Sequence, residues 1–423
     1  MCQSTLKKAS PTAYRYEKKY HLSDIYRLYF KEYLHSKSRH LFLEDRHVTA
    51  VNQTLCCRTG KLGYHLFRCR GCQAQKYLYH SCKHRFCGNC GSAETHRWAQ
   101  DLQVKLLDIA HHHVVFTLPA SLRKLARNNA KAIYDLFFRA SSQVLQNYLG
   151  YKYHLKPGIV SVLHTAGSDL KYHPHLHLIV SGGGVNQVTG EQVVLPGKYL
   201  CNSSHLKKRF RWQFEKGLIA LYEKGSLRLS GSLALGRSYF LSYLKKLNSQ
   251  DWVVSVQPAL ADKSHMVKYV GRYTKRACLS EYRIASIEAG RIGFSYKDYK
   301  SSQPGEKPKE AMMVLPYSGF LDRLLQHVPA KGFRMVRYYG LYATRVKRKE
   351  AAAAPATPLP AQVASKPEPT FSDFETYWQE VYGEKALNCS TCQDSLKYIG
   401  QYFTGIRARW RTLPVANGGT DSS

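Results

Sequence analysis

Acidic side chains are scarce in this chain. Its 423 residues hold 29 Asp plus Glu against 63 Lys plus Arg, a formal charge of +34. So lopsided a balance selects a polyanionic partner. Long apolar runs are missing as well. No segment approaches the ~18–20 uninterrupted apolar residues of a spanning helix, so nucleic acid is favoured over membrane as that polyanion. The opening stretch, MCQSTLKKASPTAYRYEKKYHLSD, lacks the apolar core of a secretory signal, and the expected location is the cytoplasm. There is no GxxxxGK[ST] phosphate loop, so neither an ATP-driven helicase domain nor a nucleotide cofactor is indicated.

What is present is an ordinary hydrophobic content of 44%, enough in a chain of this length for two or three domains with cores of their own. Cysteine is plentiful at 12 residues, yet the chain is neither small nor visibly exported, so a disulfide scaffold is the weaker reading. The cysteines cluster between Cys56 and Cys90. Within that block Cys69-Arg70-Gly71-Cys72 and Cys87-Gly88-Asn89-Cys90 form two CxxC knuckles at the spacing of a four-thiolate zinc site. Cys57, Cys82, His65 and His84 lie nearby and are candidates for a second site or an extension of the first. A later pair, Cys389 and Cys392, has no partner ligands in its own neighbourhood.

Hydrophobic periodicity divides the chain. Residues 1–100 read as a helix near 22–33, with candidate caps Ser23 and Asp24, followed by the Cys-rich module. Residues 101–345 read as an α+β domain. They contain strands at 111–118, 158–164 and 173–180, the last ended by Gly182-Gly183-Gly184, and a long helix from about 121 to 148. A basic, mostly helical insertion falls at 191–250, a helix at 264–277 and a hairpin around Glu288-Ala289-Gly290. Residues 346–370 are an Ala/Pro-rich linker, and 371–423 a basic tail carrying the last CxxC.

The most specific signal for chemistry is His173-Pro174-His175-Leu176-His177, with imidazoles at two-residue steps in an otherwise apolar strand. Side chains two apart on a strand share a face, so His175 and His177 can converge on one cation. A single histidine on such a strand is ordinarily a satisfied core residue; the alternation is harder to dismiss. A third ligand is needed, for which His173, His164 and His265 are candidates. Downstream, Tyr269 and Tyr273 are four apart on the expected helix and would share one of its faces. That spacing alone means little, because the chain holds 31 tyrosines.

Taken together, the His-hydrophobic-His of 175–177, Tyr269 and Tyr273 resemble the two-tyrosine HUH transposases of the insertion sequence 91 type. The resemblance extends through the 55–90 zinc block, His113-Val114-Val115-Phe116-Thr117-Leu118-Pro119, Leu163-His164-Thr165, Ser181-Gly182-Gly183-Gly184, Gly271-Arg272-Tyr273-Thr274 and Lys331-Gly332-Phe333. Ala166, Lys275, Phe86 and Gly88 depart from the family's pattern.

The resemblance implies an HUH endonuclease domain with a central antiparallel sheet of about five strands flanked by helices, preceded by a zinc-binding module. It implies Mg²⁺ or Mn²⁺ held by the histidines, Zn²⁺ in the module, and single-stranded or unpaired DNA at element ends as substrate. Tyr269 and Tyr273 would be nucleophiles forming 5′-phosphotyrosine links in rolling-circle transposition, with Lys275 assisting proton transfer or neutralising phosphate. A phenol with a pKa near ~10 is a weak nucleophile at neutral pH, which is why a cation is needed beside it. A rolling-circle replication initiator or relaxase would use the same nicking chemistry. A non-catalytic zinc-dependent DNA-binding protein is the reading from another class.

Overall fold

The computed structural model describes residues 19–36, 43–271, 277–299, 301, 308–343 and 387–404, leaving out the side chains at 92, 93, 268 and 269. The expected linker and the basic end of the tail fall outside these residues.

In chain order, helices α1 (Leu22–His35) and α2 (Asp45–Cys56) lead into the hairpin β1 (Tyr64–Cys69) and β2 (Gln75–Tyr79), then α3 (Gly91–Lys105) and β3 (His111–Thr117). Next come α4 (Leu122–Asn128), α5 (Ala130–Tyr153), β4 (Leu155–Ala166) and β5 (Tyr172–Asn186). The basic region supplies β6 (Gln192–Val194), α6 (Ser203–Glu223) and α7 (Arg237–Asn248). After it follow β7 (Val253–Val256), α8 (Lys263–Gly271), β8 (Ile284–Glu288), β9 (Arg291–Asp298) and β10 (Lys309–Pro316). The described chain closes with α9 (Tyr317–Leu325), β11 (Val336–Gly340) and β12 (Leu396–Tyr402).

The fold is α+β, as the sequence predicts. Its centre is an antiparallel sheet in the order β11-β4-β5-β3-β7, with β6 attached to β5. Alternation along the strands separates two apolar faces. One carries Phe116, Ile159, Leu163, Leu176, Leu178 and Val180, buried against Phe137 and Phe138 of α5, Phe210 and Phe214 of α6, and Trp252. Each such large side chain, fully buried, stabilises the fold by about 1.5–3 kcal/mol. The opposite face carries Val160, Val162 and Ile179, covered by Ala99 and Leu102 of α3 and by Met266, Val267 and Val270 of α8.

Two smaller sheets flank this body. Strands β10-β9-β8 pack Ile284, Ile292 and Phe294 against α1, α2 and α9, so the first helix shares its core with residues 277–328. Strands β12-β1-β2 build the third sheet around Phe67, Leu387 and Leu396.

Three local expectations are corrected. The long helix breaks at Asn129, whose backbone leaves helical geometry (φ −130°, ψ 39°) and whose side-chain amide donates to Leu125 O and Arg228 O and accepts from Arg228 N–H. The caps of α1 are displaced: its N-cap is His21, whose N–H donates to Asp24 Oδ2 at 2.9 Å.

The triple glycine does not end β5 but lies inside it, with Gly184 opposite Pro157 and Gly183 opposite Val194. A Cβ at Gly183 would meet Val193 O at 2.2 Å and one at Gly184 would meet Lys156 O at 2.2 Å. Here glycine serves close approach of neighbouring backbones rather than strand termination.

Candidate functional site

Register builds the site. His164 on β4 is the direct partner of His175 on β5, and Val162 of His177, so His164, His175 and His177 share one face with Val160, Val162 and Ile179. This is the face that α3 and α8 cover. Ring nitrogens of the three histidines lie within 4.8 Å of one another. His164 Nδ1 and His175 Nε2 are 3.1 Å apart, close to the ~3.0 Å that separates neighbouring ligands in an octahedron with bonds of about 2.1 Å.

The surroundings prepare these rings as ligands. Burial drives His164 and His177 well below the ordinary imidazole pKa and His175 to about 4, with the neighbouring imidazoles adding to the effect in each case. All three are therefore neutral at physiological pH, the form that coordinates a cation. His175 Nδ1 lies 2.7 Å from His173 O, an arrangement that places its proton on Nδ1 and leaves Nε2 for a metal. His113 on β3 puts Nε2 3.0 Å from His177 Nδ1 and orients that ring in the same manner. The donor set fits a divalent ion. Three imidazoles are softer than Mg²⁺ prefers, which favours Mn²⁺ at least equally.

The structure separates residues that the sequence had left level. His173, one of the expected ligands, stands outside the trio: its Nδ1 faces Arg123 Nη2 at 2.8 Å. His265 pairs with Asp262 at 2.7 Å on the exposed start of α8. His164 supplies the third imidazole because β4 and β5 pair in the register that places it opposite His175. His113 escaped notice as a site residue, although its alternation with His111 on β3 was a readable signal. Tyr269 belongs to α8, whose Met266, Val267 and Val270 pack on the histidine-bearing face. Tyr273 and Lys275 lie outside the described residues.

The cysteines regroup. Cys57, Cys82, Cys87 and Cys90 form one cluster, and Cys69, Cys72, Cys389 and Cys392 another, each with its sulfurs within 4.8 Å of one another. The expected closure of Cys69–Cys72 upon Cys87–Cys90 is thus replaced by two sets. Cys57 and Cys82 join the second knuckle, while the first knuckle turns to the far end of the chain. His65 belongs to neither: its Nδ1 lies 3.3 Å from the Tyr398 hydroxyl, and its ring meets His80 edge-on. In the first cluster Cys82 Sγ and Cys90 Sγ are 3.7 Å apart, matching the ~3.8 Å edge of a tetrahedron with Zn–S bonds near 2.3 Å. Hydrogen bonding with Cys82 leads the effects that lower the Cys57 pKa, and hydrogen bonding with Cys57 does the same for Cys87.

Basic residues line an exposed face of α6. Leu206, Phe210, Phe214 and Leu218 turn inward, whereas Lys208, Arg209, Trp212 and Lys216 turn outward. The Lys216 ammonium sits 5.3 Å from the Trp212 ring centroid. Trp212 is 57% exposed, an uncommon placement for tryptophan without a partner to stack on it. Among the described residues no helix is long and apolar enough to cross a membrane.

Comparison with known proteins agrees with this geometry. Residues 25–118 match a family described as "Transposase zinc-binding domain", and residues 158–350 match one described as "Putative transposase". The chain is 30% identical over 394 residues to "Putative transposase y4qJ" of Sinorhizobium fredii, covering 91% of this chain and 96% of that protein. It is 30% identical over 312 residues to the "Transposase for insertion sequence element IS801" of Pseudomonas savastanoi pv. phaseolicola, covering 72% of each. No solved structure matches it significantly. With both regions matched and similarity running nearly end to end, the chain belongs to the insertion sequence 91 family of transposases, which carry an N-terminal zinc-binding domain.

Proposed function

We propose that this transposase nicks and rejoins single-stranded DNA at the ends of its element through 5′-phosphotyrosine intermediates in rolling-circle transposition. The observation that carries the reading is the convergence of His164, His175 and His177 on the sheet face against which α8 packs. A divalent ion held by those imidazoles would polarise the scissile phosphate and offset the charge that develops on it.

The remaining chemistry belongs to the chain. The phenolic oxygen of Tyr269 attacks phosphorus, the bond to the 3′ oxygen breaks, and the proton lost by the phenol is balanced by one gained at the freed 3′-hydroxyl. DNA is left joined through its 5′ phosphate to the enzyme. Tyr273 repeats the step on a second strand, so that two ends are held at once. Attack of a 3′-hydroxyl on either phosphotyrosine restores a phosphodiester and releases the phenol. Phosphodiester energy is conserved throughout and no ATP is required. Lys275 neutralises phosphate or assists proton transfer at the tyrosines. Cationic grooves and aromatic stacking retain the unpaired substrate.

The test incubates full-length protein with single-stranded oligonucleotides from the element ends and Mn²⁺, then resolves products on a denaturing gel. A covalent protein–DNA adduct is expected from the wild type and none from Tyr269→Phe combined with Tyr273→Phe. An adduct of undiminished yield from that double variant would overturn the assignment.

A further inference from the structure

We propose that Cys69, Cys72, Cys389 and Cys392 hold a second structural zinc that fastens residues 387–404 onto the N-terminal module as the third strand of its sheet. The two matched family regions end at residues 118 and 350, so neither accounts for Cys389 and Cys392. Each knuckle lies next to a strand of this sheet: Cys69 ends β1 and Cys72 lies in the connection to β2, while Cys389–Cys392 comes just before β12. Antiparallel pairing of β1 with β12, Cys69 opposite Leu396, brings the knuckles together. Cys69 Sγ lies 3.3 Å from Cys392 Sγ, and Cys72 Sγ 3.5 Å from Cys389 Sγ. All four thiols are free rather than disulfide-bonded. Cys389 Sγ accepts the Thr391 N–H at 3.4 Å, and Cys389 N–H donates to Asp394 O, which folds the second knuckle into a tight turn. Four sulfurs presented by two such turns are the donor set of a closed zinc site.

The packing says why a metal is needed. This sheet has three strands and a core of little more than Phe67, Leu387 and Leu396, with Leu78 and Tyr398 beside them. A core this small supplies little stability of its own, and natural domains of that size recover stability from metals or disulfides. Beside the strand ladder, the Tyr64 and Tyr402 rings stack at 4.9 Å, Arg70 N–H donates to Ser395 O at 3.1 Å and Thr404 Oγ1 donates to Lys61 O at 2.7 Å. Zinc at this point joins segments more than 300 residues apart in sequence, and its role does not depend on the nicking chemistry.

Full-length protein purified under reducing conditions with zinc provides the test, read by native mass spectrometry and by alkylation mapping. Cys389→Ser combined with Cys392→Ser is expected to lose one zinc per chain relative to wild type, and Cys392→His to retain it. In the wild type, the exposed thiols of Cys72 and Cys392 are expected to resist iodoacetamide until a chelator is added. The alkylation arm needs no mutant and holds even if the double variant folds poorly. Zinc content unchanged in a folded double variant, or alkylation of Cys72 and Cys392 equally fast with and without zinc, would overturn the proposal.

Discussion

His164 and His175 face each other across β4 and β5 with ring nitrogens 3.1 Å apart. Because each is one of three imidazoles converging on the same space, replacing either with alanine is expected to abolish Mn²⁺-dependent adduct formation while leaving the unfolding midpoint of the metal-free protein nearly unchanged. His173→Ala is expected to keep metal affinity, because its ring points to Arg123. Isothermal titration with Mn²⁺ alongside the adduct gel checks both. If His173→Ala loses the metal and His164→Ala keeps it, the third ligand is misassigned.

His113 meets the site at His177, its Nε2 3.0 Å from His177 Nδ1. Removing a side chain that orients a metal-bound imidazole typically weakens metal binding about 10–100-fold, and His113→Ala should do so here. The loss should appear as a higher Mn²⁺ concentration for half-maximal adduct yield, with the plateau largely kept. A variant that instead loses yield at saturating Mn²⁺ would show that His113 acts otherwise.

Stability should fall on mild acidification. His327 is buried, with Nδ1 3.0 Å from Thr165 Oγ1 and Nε2 3.0 Å from Leu170 O, and burial lowers its pKa to about 4. In the unfolded chain the same group titrates near ~6.5. Its contribution is therefore intact above about pH 6.5 and is lost as pH falls toward 4, because only the unfolded state takes up the proton in that window. At about 1.4 kcal/mol for each pKa unit, the loss by pH 5 is roughly 2 kcal/mol. Urea unfolding at pH 7.5 and pH 5 should show His327→Gln less stable than wild type at the higher pH but with a shallower decline. Parallel declines would refute the assignment.

Backbone contact at the triple glycine sets a fourth expectation. Alanine at Gly184 would drive a methyl group into Lys156 O, and overpacking of this kind costs about 1–3 kcal/mol. Gly184→Ala should lower the denaturation midpoint accordingly, whereas alanine at Gly190, where nothing lies within 4 Å, should show only the smaller strain of its positive φ of 78°.

If the basic face of α6 contacts DNA, its contribution should separate into charge and stacking. Lys208→Glu with Arg209→Glu should weaken binding to all sequences and flatten the dependence of affinity on salt, since each lost phosphate contact removes about 0.7 from the slope on single strands. Trp212→Ala should cost about 1–3 kcal/mol with single-stranded DNA and leave the salt slope unchanged. Fluorescence anisotropy across a salt series distinguishes the two, and wild-type affinity in all variants would remove α6 from the interface.

Much of this was readable along the chain because it depends on local periodicity. Strand β5 and the pairing of His175 with His177 follow from alternation over a few residues, and the β8–β9 hairpin from Ala289-Gly290 between two apolar runs. What sequence could not supply was register and long-range pairing. His164 became the third imidazole only through the alignment of β4 with β5, which placed it ahead of the equally plausible His173. The cysteines make the same point. A CxxC spacing specifies a knuckle but not its partner, and nothing near Cys69 or Cys72 foretells that β12 arrives from the opposite end of the chain. Glycine misled for a different reason: three in a row read as punctuation, while the sheet uses them for crowding.

Cys90 is both a member of the first sulfur cluster and the N-cap of α3, the helix that lies beside α8 on the histidine face. Withdrawing zinc there would do more than loosen a distal appendage. It would unmoor the scaffold on which the tyrosine helix leans, so loss of that ion would be felt at the histidine face as well as in the cysteine module.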